Sequence, residues 1–378
     1  VDEFDAIDAM SARFAAAARA RFPTGDLPPA GEVWIGDDAA VVTRDAGSPV
    51  LLTTDLVVEG IHFDLRLCSL EDVGYRALMV SASDLAAMGA RPDQVMASVV
   101  APRDIDLDQL ATGLASASEE CRCVVVGGDL SAGPALMVSV AIYGTLRAPL
   151  SPGPLLRSEA RAGDYLFVTG PLGGSAAGLR VLWDELAERP EDVDPADHAA
   201  RPGSGPGPDS HPDSSPGPDP DSGPGPDPDS SPGPESNPDS DSDPDSDPSP
   251  DFDHLRRAYR RPRARLDEGE VARTAGATAA IDISDGLAAD IAHVARASGV
   301  GVSLDSVPVV RGATGEEALH GGEDYELVLA TPDPGALVEA YRKAGLRPPL
   351  PIGRCTEDVG RLVLGGEPLP PGGWIHRF

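Results

Sequence analysis

Residues 70–100 read LEDVGYRALMVSASDLAAMGARPDQVMASVV, and the hydrophobic period changes partway along them. From Leu70 to Met88 the period is helical: at about 100° per residue, Val73, Ala77, Val80, Asp84 and Met88 fall within about 60° of one another. Beyond the Gly89–Pro92 break, Val95 to Val100 is a β-rich run. The same alternation continues on both sides. Strands are predicted over Val50–Thr54, Val124–Val126, Leu136–Tyr143, Tyr165–Thr169, Ala280–Ile283 and Glu326–Ala330, and helices over Leu107–Glu120, Ser175–Ala187 and Asp285–Ala297. Short strands interleaved with helices predict an α/β or α+β fold. The pattern breaks at SPGPLLRSEARAG, which divides the chain into an N-terminal domain over 1–150 and a C-terminal α/β domain over 151–378.

The chain has 378 residues, 41% hydrophobic and 24% charged, enough for two to three ordinary domains, each with its own core. A formal charge of −32 opposes binding to nucleic acid phosphates or anionic lipid. No run of about 18 apolar residues occurs, and Val1–Pro23, broken by acids and Arg, lacks a signal-peptide layout; the expected location is the cytoplasm. Cys68, Cys121, Cys123 and Cys355 form no CxxC pair and read as core thiols. From Arg201 to about Asp253 the chain cycles through Ser, Pro, Gly and Asp, with about 14 acids and one Arg. Such a stretch cannot bury enough surface to offset its entropy and is expected to be a disordered acidic spacer.

The chemistry lies in carboxylates next to β-rich runs: Gly36-Asp37-Asp38, Thr53-Thr54-Asp55, Gly127-Gly128-Asp129, Asp282-Ile283-Ser284-Asp285 and Gly322-Glu323-Asp324. Each alone reads as a turn or a helix cap. Asp84 carries more weight, because it lies on the apolar stripe of its helix with no Lys or Arg in the adjacent turn of that face. A carboxylate there needs a partner, and a cation is the expected one. Several acids converging without a basic cluster point to hard divalent ions, with Mg²⁺ bridging carboxylates to substrate phosphates. No GxxxxGK[ST] loop and no protein-kinase signature occurs, so a lysine-based phosphate cradle is excluded.

GDDAAVV from Gly36, TTDLVVEGIHFD from Thr53, SDLAAMGARP from Ser83, GGDLSAGP from Gly127, DISDGLAADIAHVARASGVG from Asp282 and GGEDYELV from Gly321 occur in order along nearly the whole chain outside the insert. Together they resemble the thiamine-monophosphate kinase family. That resemblance implies Mg-dependent transfer of the ATP γ-phosphate to thiamine monophosphate, giving thiamine diphosphate and ADP. It also implies the fold shared with aminoimidazole ribonucleotide synthetase and selenophosphate synthetase, in which the N-terminal sheets of two subunits join in a barrel, and hence a homodimer. Carried over by position, the resemblance makes Asp38, Thr53, Thr54, Asp55, Asp84, Asp129, Asp282 and Asp285 the metal candidates. It places Gly128, Asp129, Arg157 and Ser284 at ATP, and His62, Glu323 and Trp374 at thiamine monophosphate. No general base is assigned, because the acceptor phosphate is already anionic. After GGD, Leu130-Ser131-Ala132 replaces the Thr-Thr-Arg usual in the family, removing a basic side chain near the nucleotide. The alternatives are a superfamily member that forms an acyl- or imidoyl-phosphate, and a non-catalytic nucleotide-binding regulator that docks through the insert.

Overall fold

Ser69 starts the first helix: its hydroxyl accepts from the Asp72 N–H at 3.1 Å, and the Asp72 carboxylate accepts from the Ser69 N–H at 3.2 Å. This reciprocal cap satisfies donors that the first turn leaves open. The helix, α1 (Leu70–Ala87), is buried on nearly every side over Val73–Ser83. The computed structural model describes residues 31–34, 37–43, 49–188 and 252–374. The Val1–Pro23 stretch and the insert over 201–251 lie outside these residues. Phe252 and Asp253, assigned to the insert from composition, instead cap and begin a helix.

Strands β1 (Ala40–Thr43), β2 (Pro49–Val58), β3 (Arg91–Ala101), β4 (Val124–Ala132) and β5 (Met137–Thr145) form a five-stranded sheet in the order β1-β2-β5-β3-β4. All neighbours are antiparallel except β3 and β4. Helix α1 packs on this sheet beside α2 (Leu107–Cys121). The two helices meet backbone to backbone at Gly113, where a Cβ would stand 1.9 Å from the Glu71 carbonyl oxygen. Only glycine permits that approach.

The second sheet has the order β12-β11-β8-β10-β6-β9-β7, built from β6 (Tyr165–Val168), β7 (Ala279–Asp282), β8 (Gly301–Leu304), β9 (Leu327–Thr331), β10 (Leu350–Thr356), β11 (Leu362–Leu364) and β12 (Glu367–Pro368). Helices α3 (Gly174–Ala187), α4 (Asp253–Arg260), α5 (Leu266–Thr274), α6 (Leu287–Ser298), α7 (Gly315–His320) and α8 (Pro334–Lys343) accompany it. Helix α1 also packs against α5 and β7, so it is shared between the two halves. Arg273 on α5 is fully buried and donates to the carbonyls of Gly89, Arg147, Pro149 and Pro152 at 2.8–3.1 Å. It thereby ties the segment joining the sheets to the C-terminal half, at the place where the pattern breaks in sequence.

The strands run longer than their hydrophobic runs suggest. Asp55 and Asp129 stand inside β2 and β4, not beyond them, whereas Asp282 is the last residue of β7. The four cysteines are buried free thiols. Among the described residues, no helix is long and apolar enough to cross a membrane.

Candidate active site

Three elements meet at the Asp84 end of α1. Asp38 comes from the turn before β1 and Asp282 from the end of β7, and one carboxylate oxygen of each lies within 4.8 Å of the others and of Asp84. Strand alternation puts Leu51, Thr53, Asp55 and Val57 on the inner face of β2. The Thr53 hydroxyl donates to Asp84, and the Ser83 hydroxyl donates to Asp282 at 2.6 Å. Arg157, in the 3-10 turn Arg157–Glu159, forks onto both oxygens of Asp38, with Nε 3.1 Å from Oδ2. The neighbouring Asp37 carboxylate accepts from the Asp38 N–H at 3.0 Å and the Arg157 N–H at 3.1 Å.

The electrostatics follow from burial and crowding. Burial first, then Asp55, Asp282 and Asp38, push Asp84 well above the usual carboxylate range. Burial and Asp38 do the same to Asp282. Burial and Asp38 raise Asp37 to about 7, against the pull of its hydrogen bonds and Arg157. Burial raises Asp55, whose Oδ2 is buried with no hydrogen-bond partner. Hard oxygen donors in excess of positive charge, one of them orphaned, fit Mg²⁺ or a similar divalent ion. Asp38, Asp55, Asp84 and Asp282 are the residues that would hold it.

Thr54 and Asp129 stand elsewhere. Thr54 lies between Leu52 and Leu56 on the outer face of β2. Leu56 pairs with Ser139, Ser139 with Ser98, and Ser98 with Asp129, so Asp129 shares that outer face. Gly128 is forced, because a Cβ there would stand 1.7 Å from the Ala97 carbonyl oxygen. The outer face is open and apolar, with Leu52 42%, Leu56 48%, Met96 56% and Val124 61% exposed.

Ser284, Asp285, Glu323 and Trp374 stand on linked loops of the C-terminal half. The Ser284 carbonyl accepts from the Glu323 N–H at 2.8 Å, and the Ile283 carbonyl accepts from the Tyr325 N–H at 2.9 Å. Trp374 donates its backbone N–H to the Asp285 carbonyl at 3.0 Å, and its side chain is exposed. His62 lies in the turn after β2, where its Nδ1 accepts from the Val58 N–H at 3.1 Å. Composition and motif missed Asp290, which accepts from the N–H groups of Asp285 and Gly286 and shapes that loop. Its signal was legible: an acid in the first turn of α6, on the buried side. Arg76, the fully buried partner of Glu323, was missed as well.

Residues 36–146 match the family described as AIR synthase related protein, N-terminal domain, and residues 240–364 match its C-terminal domain. The thiamine-monophosphate kinase of Salmonella typhimurium is 30% identical over 354 residues, covering 90% of this chain and 89% of its own. The chain belongs to the thiamine-monophosphate kinase family. The Escherichia coli member of that family is 31% identical, with 89% of each chain covered. A solved structure, AaThiL complexed with AMPPCP and TMP, superposes with a TM-score of 0.67 at 28% identity, covering 100% of this chain and 97% of that one. The HypE-HypF complex shares the fold at a TM-score of 0.58 and 16% identity, covering 92% of this chain and 95% of that one.

Proposed function

We propose that this chain transfers the γ-phosphoryl group of ATP to thiamine monophosphate. The bond from the γ-phosphorus to the β-phosphate oxygen breaks, and a new bond forms to an oxygen of the thiamine phosphate, giving ADP and thiamine diphosphate. The observation that carries the reading is the convergence of Asp38, Asp84 and Asp282 on one point, beside the orphaned oxygen of Asp55. When bound there, Mg²⁺ supplies charge neutralisation between two polyanionic reactants. The residues of the chain do the rest by placement. Thr53 and Ser83 fix the rotamers of Asp84 and Asp282, and Arg157 balances Asp38 within reach of an incoming nucleotide. Glu323 faces the thiazolium cation, His62 binds the same substrate, and Trp374 offers a plane for a flat heterocycle. Asp285 joins the metal set, and Gly128 and Ser284 contact ATP. An anionic acceptor needs no general base.

Thr54 and Asp129 enter this scheme through a second copy. We take the open apolar face of the first sheet as the homodimer interface, with residues 1–150 as the nucleotide and dimerisation half and 151–378 as the C-terminal half. The enzyme works in the cytoplasm on this reading.

The test is direct. Purified protein is incubated with ATP, Mg²⁺ and thiamine monophosphate, and thiamine diphosphate is followed by chromatography, with free thiamine as the control acceptor. Product from thiamine monophosphate alone supports the assignment. Product from free thiamine alone, or none from either, overturns it.

A further inference from the structure

Arg76 lies on α1 with its side chain 1% exposed, and burying a guanidinium is costly unless its charge and donors are met. Its Nη2 pairs with Glu323, its Nη1 donates to the Tyr259 carbonyl, and its Cζ stands 5.0 Å from the centre of the Tyr259 ring. Nε has no hydrogen-bond partner, so the guanidinium is committed to Glu323 without being saturated. Glu323 differs from it in exposure: 25% of its side chain is open. A ligand can therefore touch Glu323 while Arg76 remains behind it.

The backbone around Glu323 adds to this. Glu323 and Tyr325 hold φ of +66° and +50°, a left-handed conformation unusual for residues with a Cβ. Such conformations persist only where the surroundings over-determine them. Here the surroundings are the two backbone bonds to Ile283 and Ser284 and the ion pair to Arg76. Arg76 and Asp84 also share one rigid helix, eight residues apart. At a rise of about 1.5 Å per residue they are about 12 Å apart along its axis, so one helix carries both the partner of Glu323 and an acid of the cluster.

We propose that Arg76 is a positioning residue, which fixes the Glu323 carboxylate behind the acceptor substrate and ties it, through α1, to the acid cluster at the phosphate end. This rests on the function proposed above. Arg76 itself touches no substrate and acts only through Glu323.

The experiment is a double-mutant cycle in the full chain with Arg76→Gln, Glu323→Gln and both together. Each protein is measured by steady-state kinetics against both substrates and by calorimetric binding of thiamine monophosphate in Mg²⁺ without ATP. Arg76→Gln is expected to raise KM for thiamine monophosphate about tenfold, to leave KM for ATP within about twofold, and to add less than about twofold in the Glu323→Gln background. Arg76→Lys, which keeps the charge, recovers part of the loss; it also carries the same cycle should the Gln variant not fold. Effects that multiply, or an equal rise in both KM values, overturn the role of Arg76 while leaving the function intact. A wild-type protein that does not bind thiamine monophosphate overturns the function and this role with it.

Discussion

Arg157→Met removes the guanidinium that forks onto Asp38, the one basic side chain bonded to the acid cluster among the described residues. The Asp38 side chain is 0% exposed and that of Arg157 is 24% exposed, so the carboxylate is left buried among Asp37, Asp84 and Asp282 with its partner gone. Losing one partner of a buried pair costs about 3–5 kcal/mol, and the partial exposure of Arg157 reduces this to about 2–4 kcal/mol. For a chain of this size the loss is on the order of 3–7 °C in Tm. The assay is thermal unfolding at pH 8 of wild type and variant, each with EDTA and with Mg²⁺. Because an ion that binds only the folded state stabilises it by mass action, Mg²⁺ should close at least about half of the gap. A variant that melts within about 1 °C of wild type in EDTA would refute the charge-balance argument. So would Mg²⁺ raising both proteins equally.

Asp324, whose carboxylate accepts from the Gly173 and Ser175 N–H groups, is pushed up to about 7, chiefly by burial. The folded state then binds the extra proton between about pH 4 and 7, so this carboxylate makes stability fall as pH rises through that window. Asp324→Asn should flatten the decline by up to a few kcal/mol, read from urea titrations at pH 5 and pH 8; parallel declines would count against it. Gly113→Ala drives a methyl group into the Glu71 carbonyl and should cost about 2–4 kcal/mol through separation of α1 from α2; a neutral result in chemical unfolding would mean the helices are free to part. Leu56→Glu, which places a charge on the open face of the first sheet, should convert a dimer into a monomer by light scattering, and an unchanged mass would remove that face as the interface.

Much of this architecture is legible in the sequence because two periods are strong. The α1 stripe, with Asp84 on it, foretells both the helix and an acid turned inward against the sheets. Asp282 follows three consecutive apolar residues, Ala279 to Ile281, which foretell its strand, although the strand read over Ala280–Ile283 instead ends at Asp282. The short elements of the C-terminal half were not legible. Helix α4 is too polar to show an apolar stripe, with only Leu255 and Tyr259 buried, and it follows a stretch whose composition dominates any window drawn across it. Strands β11 and β12 have three and two residues, below the length at which alternation can be counted. Arg76 carries no local signal, because its partners Tyr259 and Glu323 are more than 180 residues away in the chain.

The motif TTD contains a constraint that motif matching alone passes over. Side chains on a strand alternate, so Thr53 and Asp55 can share one face while Thr54 must take the other. In the structure Thr53 and Asp55 turn inward to Asp84, and Thr54 turns outward beside Leu52 and Leu56, on the face that also carries Asp129. A single ion held by one face of one sheet therefore cannot be bound by all of these residues. Either the sites divide, with one group of ions at the inner cluster and another outside it, or the outward residues answer to a second sheet laid over theirs. The apolar side chains around Thr54 and Asp129 favour the second sheet, because an open face of Leu, Met and Val gains stability when it is covered, and covering it buries the two polar side chains among hydrophobic neighbours unless an ion or a nucleotide arrives with the partner.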